Sequence, residues 1–288
     1  MRKSYILLFE FFWLIALIEA EIIKNANFSR EIPQPLGVNV HFTVAPAGEM
    51  EMLQNMGVKH MRMDTFWSNI EYTKGQYDFS QYDIFIANCL KYGVVPYMII
   101  DYVNSFYDQG LAPFTDQGRD AFTNFAVAIV TRYKGKGIIW EIYNEPNLDQ
   151  FWLPKKNVTN YCKLANKVVD AIKTRYPGEI VVGPATSGVD MNFLEEVFKS
   201  GLLHKLDAIS VHPYGSDPPE EAIHKYDDLR LLMKQYGEPD KDILSGEWGF
   251  HTAQHTEKEQ AQLIGRQWAV NAMKDIPISI WYDWHDGM

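Results

Sequence analysis

Apolar positions along the chain follow two alternating periods. Short runs rich in Val, Ile, Tyr, Phe and Trp recur at residues 36–42, 58–64, 94–102, 138–143, 180–184, 208–212, 243–247 and 278–284. Their length and β-rich composition predict strands buried on both faces. Between them lie longer segments with apolar residues three or four apart, at 47–56, 80–92, 117–133, 158–176, 191–199, 219–236 and 256–274. Most end near Gly or Pro, as amphipathic helices do. Repeated strand–helix units make the strands parallel with crossover helices, and eight such strands in about 250 residues predict a closed (β/α)8 barrel, a TIM barrel, rather than an open sheet. No Gly-rich turn follows the first strand, which argues against a dinucleotide-binding sheet. The last run ends at residue 284 of 288, so the barrel is expected to lack its final helix and to expose apolar faces of its first and last strands.

Composition narrows the partners. With 47% hydrophobic residues the chain has ample material for one packed core, and residues 21–288 are expected to form a single domain. A net charge of -10 and the absence of any Lys/Arg run longer than two exclude a nucleic-acid backbone as partner and are compatible with neutral sugars. Residues 1–20 combine a basic start, an apolar stretch and a small residue. They predict a secretory signal peptide cleaved after Ala20 and hence a secreted protein, extracellular or periplasmic, with an uncleaved anchor through residues 5–20 as the alternative. Cys89 and Cys162 each fall in a predicted helix, where two buried thiols are favoured over one disulfide. Asn27-Phe28-Ser29 and Asn157-Val158-Thr159 match the N-glycosylation acceptor, which matters only in a eukaryotic secretory route.

The chemistry concentrates at strand ends, where a barrel fixes the backbone while the following loop opens the side chain to substrate. Asn144 and Glu145 sit at the end of the fourth strand in W-E-I-Y-N-E-P-N-L-D-Q, and Glu247 at the end of the seventh in S-G-E-W-G-F. Taken singly, Glu145 has a helix-start carboxylate as its alternative reading and Glu247 an ion-paired surface residue. Together they predict glycoside hydrolysis, which needs one carboxyl group to protonate the leaving oxygen and another to attack the anomeric carbon or activate water. His212 and Tyr214, after the sixth strand, and His41, ending the first, are candidate sugar contacts, with core packing as the alternative for the histidines. Trp281, Trp67, Trp152 and Trp248 are candidate stacking platforms for sugar C–H faces, against ordinary burial. His251 and His255 have the spacing of two metal ligands, with Glu257 nearby, but a loop is expected there and no third ligand is evident, so no metal is expected. Asp101, Tyr102, Asp283, His285 and Asp286 read as sugar contacts or as caps and braces of the barrel.

These motifs, with I-W-Y-D-W-H-D-G near the end, resemble clan A glycoside hydrolases, closest to family 39 and family 5-like (cellulase-type) members, over the chain from about residue 36 onward. The resemblance implies retaining hydrolysis, with Glu145 as acid/base and Glu247 as nucleophile, roughly 5 Å apart. It implies that Asn144 bonds the sugar 2-hydroxyl, that Arg62 and Tyr214 donate to the nucleophile, and that Trp281 floors the subsite holding the cleaved sugar. The sequence departs from the family pattern where the last motif ends without a following helix. The expectation is a retaining hydrolase of a β-linked oligosaccharide or polysaccharide, without cofactor. The alternatives are a truncated, non-catalytic carbohydrate-binding barrel and a transglycosylase using the same pair. The sugar, the linkage and endo or exo action depend on loop lengths.

Overall fold

The computed structural model describes residues 36–285. Eight parallel strands close into a barrel in chain order: β1 (Leu36–Asn39), β2 (His60–Phe66), β3 (Val95–Asp101), β4 (Ile139–Ile142), β5 (Ile180–Ser187), β6 (Ala208–His212), β7 (Asp242–Trp248) and β8 (Ser279–Trp281). The crossovers carry α1 (Glu49–Asn55), α2 (Ser80–Lys91), α3 (Asp116–Tyr133), α4 (Val158–Arg175), α5 (Met191–Lys199), α6 (Ala222–Gln235) and α7 (Glu257–Met273). This is the TIM barrel that the alternating periods predict. Among the described residues no helix follows β8, and none is long and apolar enough to cross a membrane. The signal segment, Asn27 and Asp286 lie outside the described residues.

Local chemistry sets the helix starts. Thr115, Asn157, Asp190 and Thr256 cap α3, α4, α5 and α7, each side chain accepting a backbone N–H, and Thr256 forms a reciprocal capping box with Glu259. The Asn157 of the glycosylation motif is thus a helix cap. The first predicted helix starts two residues late, because Gly48 takes a left-handed φ of 87° immediately before it. The sixth opens instead as a 3-10 turn, Pro219–Glu221. Cys89 and Cys162 are free, buried thiols.

Strand alternation divides the barrel into an inside and an outside. Tyr97, Ile139, Val182, Ala208 and Leu244 fill its interior, while outward residues such as Trp140 and Val181 join the shell packed under the helices. On the outer side of β1 and β8, Leu36, Val38, Ile264 and Trp268 line a cavity of about 990 Å³ that reaches the mouth at Tyr214 and Tyr282. The Trp268 indole nitrogen there is buried without a hydrogen-bond partner.

His60 faces inward at the foot of β2, against Gly37, and its buried Nδ1 has no partner. Burial lowers its pKa from 6.5 to about 4. Between those values the unfolded chain binds a proton that the folded chain refuses. Folding stability should therefore fall as pH drops through that window, by about 3 kcal/mol in total. Urea unfolding at pH 7 and pH 4.5 should show a smaller loss in His60→Gln than in the parent; equal losses would reject this account.

Candidate active site

The site is organised around Arg62, inward on β2 and 1% exposed. Its Nε and Nη2 donate to Glu141 Oε2 at 2.9 and 2.7 Å, and Nη1 donates to Glu247 Oε2 at 2.8 Å. Nη1 also reaches Asn39 Oδ1 at 3.0 Å and Nη2 reaches Asn144 Oδ1 at 2.7 Å. Burial opposes its charge, but the Glu141 and Glu247 carboxylates more than offset that and hold the guanidinium protonated. Glu141 is held as carboxylate in turn: burial works against it, while the Arg62 guanidinium brings its pKa below the usual range. The Tyr97 hydroxyl donates to its other oxygen at 2.6 Å.

Two departures from strand geometry deliver the glutamates. At the end of β4, Tyr143 and Glu145 adopt left-handed φ values of 67° and 44°. This breaks the alternation, so that Tyr143 packs outward on Trp152 and Phe122 while Asn144 and Glu145 both turn to the mouth. In β7 the register against β8 shifts between Ser245 and Trp248, and consecutive residues Gly246 and Glu247 both face inward. Gly246 is required there: a Cβ would stand 2.3 Å from Ser210 Oγ and 3.2 Å from Glu141 Oε1.

The result is a tight cluster. Tyr214 donates to Glu247 Oε1 at 2.9 Å, and burial, then the Glu247 charge, push its phenol well up, keeping it a donor. His212 is fully buried, with Nδ1 at 2.9 Å from Glu145 Oε1 and Nε2 at 3.3 Å from Arg62 Nη2. Because Arg62 can only donate, Nε2 accepts, and Nδ1 carries the hydrogen given to Glu145. Oxygens of Glu145 and Glu247 and a nitrogen of His212 lie within 4.8 Å of one another. A divalent ion could accept that donor set, but it would face the Arg62 guanidinium already bonded to Glu247.

The profile of the cellulase family, glycosyl hydrolase family 5, matches residues 36–287. The chain belongs to this family. Among curated proteins no relative matches the sequence. A family 39 glycoside hydrolase from the gut symbiont Bacteroides cellulosilyticus WH2 has the same fold at TM-score 0.76 and 22% identity, over 89% of this chain and 57% of that one. A monomeric β-xylosidase from Caulobacter crescentus CB15 follows at TM-score 0.70 and 20% identity, over 86% and 59%. A glucosidase from Croceicoccus marinus aligns at TM-score 0.67 and 14% identity, over 88% and 60%. The chain therefore spans less than two thirds of the length of these neighbours.

Within this family 5 chain, the structure brings Arg62, Asn144, Glu145, His212, Tyr214 and Glu247 together and keeps several other candidates apart. His41 lies on the rim just past β1, its Nε2 3.4 Å from Asp283 and its ring edge-on to Tyr282. Trp152 is buried against Tyr143 and Tyr161, and Trp67 against Tyr107, Phe122 and Phe125, so both belong to the core rather than the cleft. Trp248 follows inward Glu247 and hence points outward into the shell, 1% exposed. Trp281 pairs with outward Val38, whereas Ile280 beside it meets inward Gly37. It therefore lines the outer cavity and is not a floor to the mouth.

Tyr282 takes the place expected for Trp281, near Glu247, and burial followed by that charge pushes its phenol up to about 12. Gly249 admits this backbone, since a Cβ there would stand 2.0 Å from the Tyr282 carbonyl oxygen. Glu141, also absent from the sequence reading, had one signal, a charged residue inside an otherwise apolar strand. Tyr102 accepts from Asn144 Nδ2 at 2.7 Å and stacks between Phe66 and Phe151. His285 pairs with Glu49 as a brace. His251 Nδ1 accepts the Ala253 N–H while His255 pairs with Asp217, so the two share no ligand.

Replacing Arg62 by Met should cost about 3–5 kcal/mol, since it strands the Glu141 carboxylate in the barrel. Adding Glu141→Met should restore much of that stability. Chemical unfolding of parent, single and double variants checks this; a double variant no more stable than Arg62→Met would refute the pairing account.

Proposed function

We propose that this family 5 chain is a retaining glycoside hydrolase acting on a β-linked glycan. The observation that carries the reading is the approach of the Glu145 and Glu247 oxygens to within 4.8 Å across the barrel mouth. Retaining pairs lie about 5–5.5 Å apart, whereas inverting pairs are separated by about 6.5–9.5 Å to admit a water. The donors divide the roles. Glu247 accepts from a guanidinium and a phenol, as a carboxylate nucleophile needs, while Glu145 meets a neutral imidazole N–H.

Glu145 gives its proton to the glycosidic oxygen as Glu247 bonds to the anomeric carbon and the C–O bond breaks, releasing the leaving sugar as an alcohol. Glu145, now a carboxylate, takes a proton from water, whose oxygen displaces Glu247 from the anomeric carbon. Asn144, fixed by Arg62 and Tyr102, supports a contact to the sugar 2-hydroxyl that strengthens as positive charge develops. A β-xylosidase and a glucosidase among the structural neighbours favour these two glycones as first substrates. The leader-like residues 1–20 support export of the mature enzyme.

Aryl β-xylosides and β-glucosides should be turned over by the purified chain. Glu145→Ala should lose about 10²–10⁴-fold with unactivated leaving groups. Glu247→Ala should be inert until azide restores release of the aryl group and yields the inverted, α-configured glycosyl azide. A β-configured azide from Glu247→Ala, or undiminished turnover by either variant, would overturn the assignment.

A further inference from the structure

Asp64 and Asp101 are carboxyl groups at the mouth that the double displacement does not use. Asp64 keeps the inward direction of His60 and Arg62 on β2, and Asp101 that of Tyr97 on β3, in adjacent strands where Asp64 pairs with Ile99 and Phe66 with Asp101. Asp101 is completely buried, and neither of its oxygens meets a protein N–H or hydroxyl. Its near neighbour is the Asp64 carboxyl group, and Asp64, 9% exposed, is the member that opens to the mouth. Two carboxylates in contact repel; one proton between them turns the contact into a hydrogen bond. Burial, then the Asp64 charge, raise the Asp101 pKa well above the carboxylate range, so Asp101 keeps that proton and donates it to Asp64.

We propose that Asp64, positioned by Asp101, is the recognition group for the sugar seated between Glu145 and Glu247, accepting hydrogen bonds from its ring hydroxyls and selecting neutral sugars over uronic acids. The proposal rests on the glycosidase reading above and names its substrate class. A carboxylate offers only acceptors, and sugar hydroxyls supply the donors it lacks. A uronate would bring its own negative charge toward Asp64, Glu247 and Asp283. The nearest cation, Arg62, is sealed behind the site and engaged by Glu141, Glu247, Asn39 and Asn144. Like-charge juxtaposition of this kind is a general source of discrimination.

Calorimetric titration of the full chain carrying Glu247→Gln, which lacks the nucleophile for the first displacement, with 4-nitrophenyl β-D-xyloside, β-D-glucoside and β-D-glucuronide reads recognition without turnover. The neutral glycosides should bind at least about tenfold tighter than the glucuronide, and Asp64→Asn should shrink that ratio by about tenfold. Asp101→Asn, whose amide still donates to Asp64, should keep more of the ratio than Asp101→Leu. A ratio unchanged by Asp64→Asn, a preference for the glucuronide, or binding of none of the three by the folded chain overturns the proposal. Absence of turnover by the parent with this selectivity intact would count against the hydrolase reading and for the recognition group.

Discussion

A guanidinium sealed inside a barrel is costly to desolvate, and everything else at the mouth follows from how Arg62 meets that cost. Its partners come from β1, β4 and β7, and His212 of β6 lies against it. No local segment could supply them, so closing the barrel and assembling the site are one event. The buried charge also explains why the site is stiff. Three partners of Arg62 are each held by a second bond, Glu141 by Tyr97, Asn144 by Tyr102 and Glu247 by Tyr214. Side chains locked in this way hold their geometry before any ligand arrives.

Much of this was legible in the chain. Eight β-rich runs separated by helical periods gave the barrel, and the two strand-end glutamates with Asn144, Arg62 and Tyr214 gave most of the mouth. The errors fall where parity matters. When both faces of a strand are buried, composition does not reveal which residues face the axis. Trp281 was attractive because indole stacks well on sugars, yet its register with Val38 turns it outward and hands the mouth to Tyr282. Trp248 fails for the same reason, one residue beyond an inward Glu247.

The irregularities at β4 and β7 were invisible for a different reason. Left-handed backbone at Tyr143 and Glu145 is unusual for residues with side chains. The register shift in β7 is fixed by the neighbouring strand rather than by local preference. Both bring two consecutive residues to one face, which a period of two forbids. Glu141 and Asp64, the partner of Asp101, were overlooked because a charge within an apolar run acquires meaning only once its partner on another strand is known.

The close approach of Gly249 to the Tyr282 carbonyl divides the ways in which this mouth could diversify. Exchanging the Tyr282 side chain would reshape the space inside the mouth while leaving the chain path alone. Any side chain at Gly249 would instead displace the end of β8 as a body, and with it the Asp283–His41 rim. A lineage descended from this protein is thus free to remodel its mouth at one position and is barred from doing so at the other, although the two are in contact.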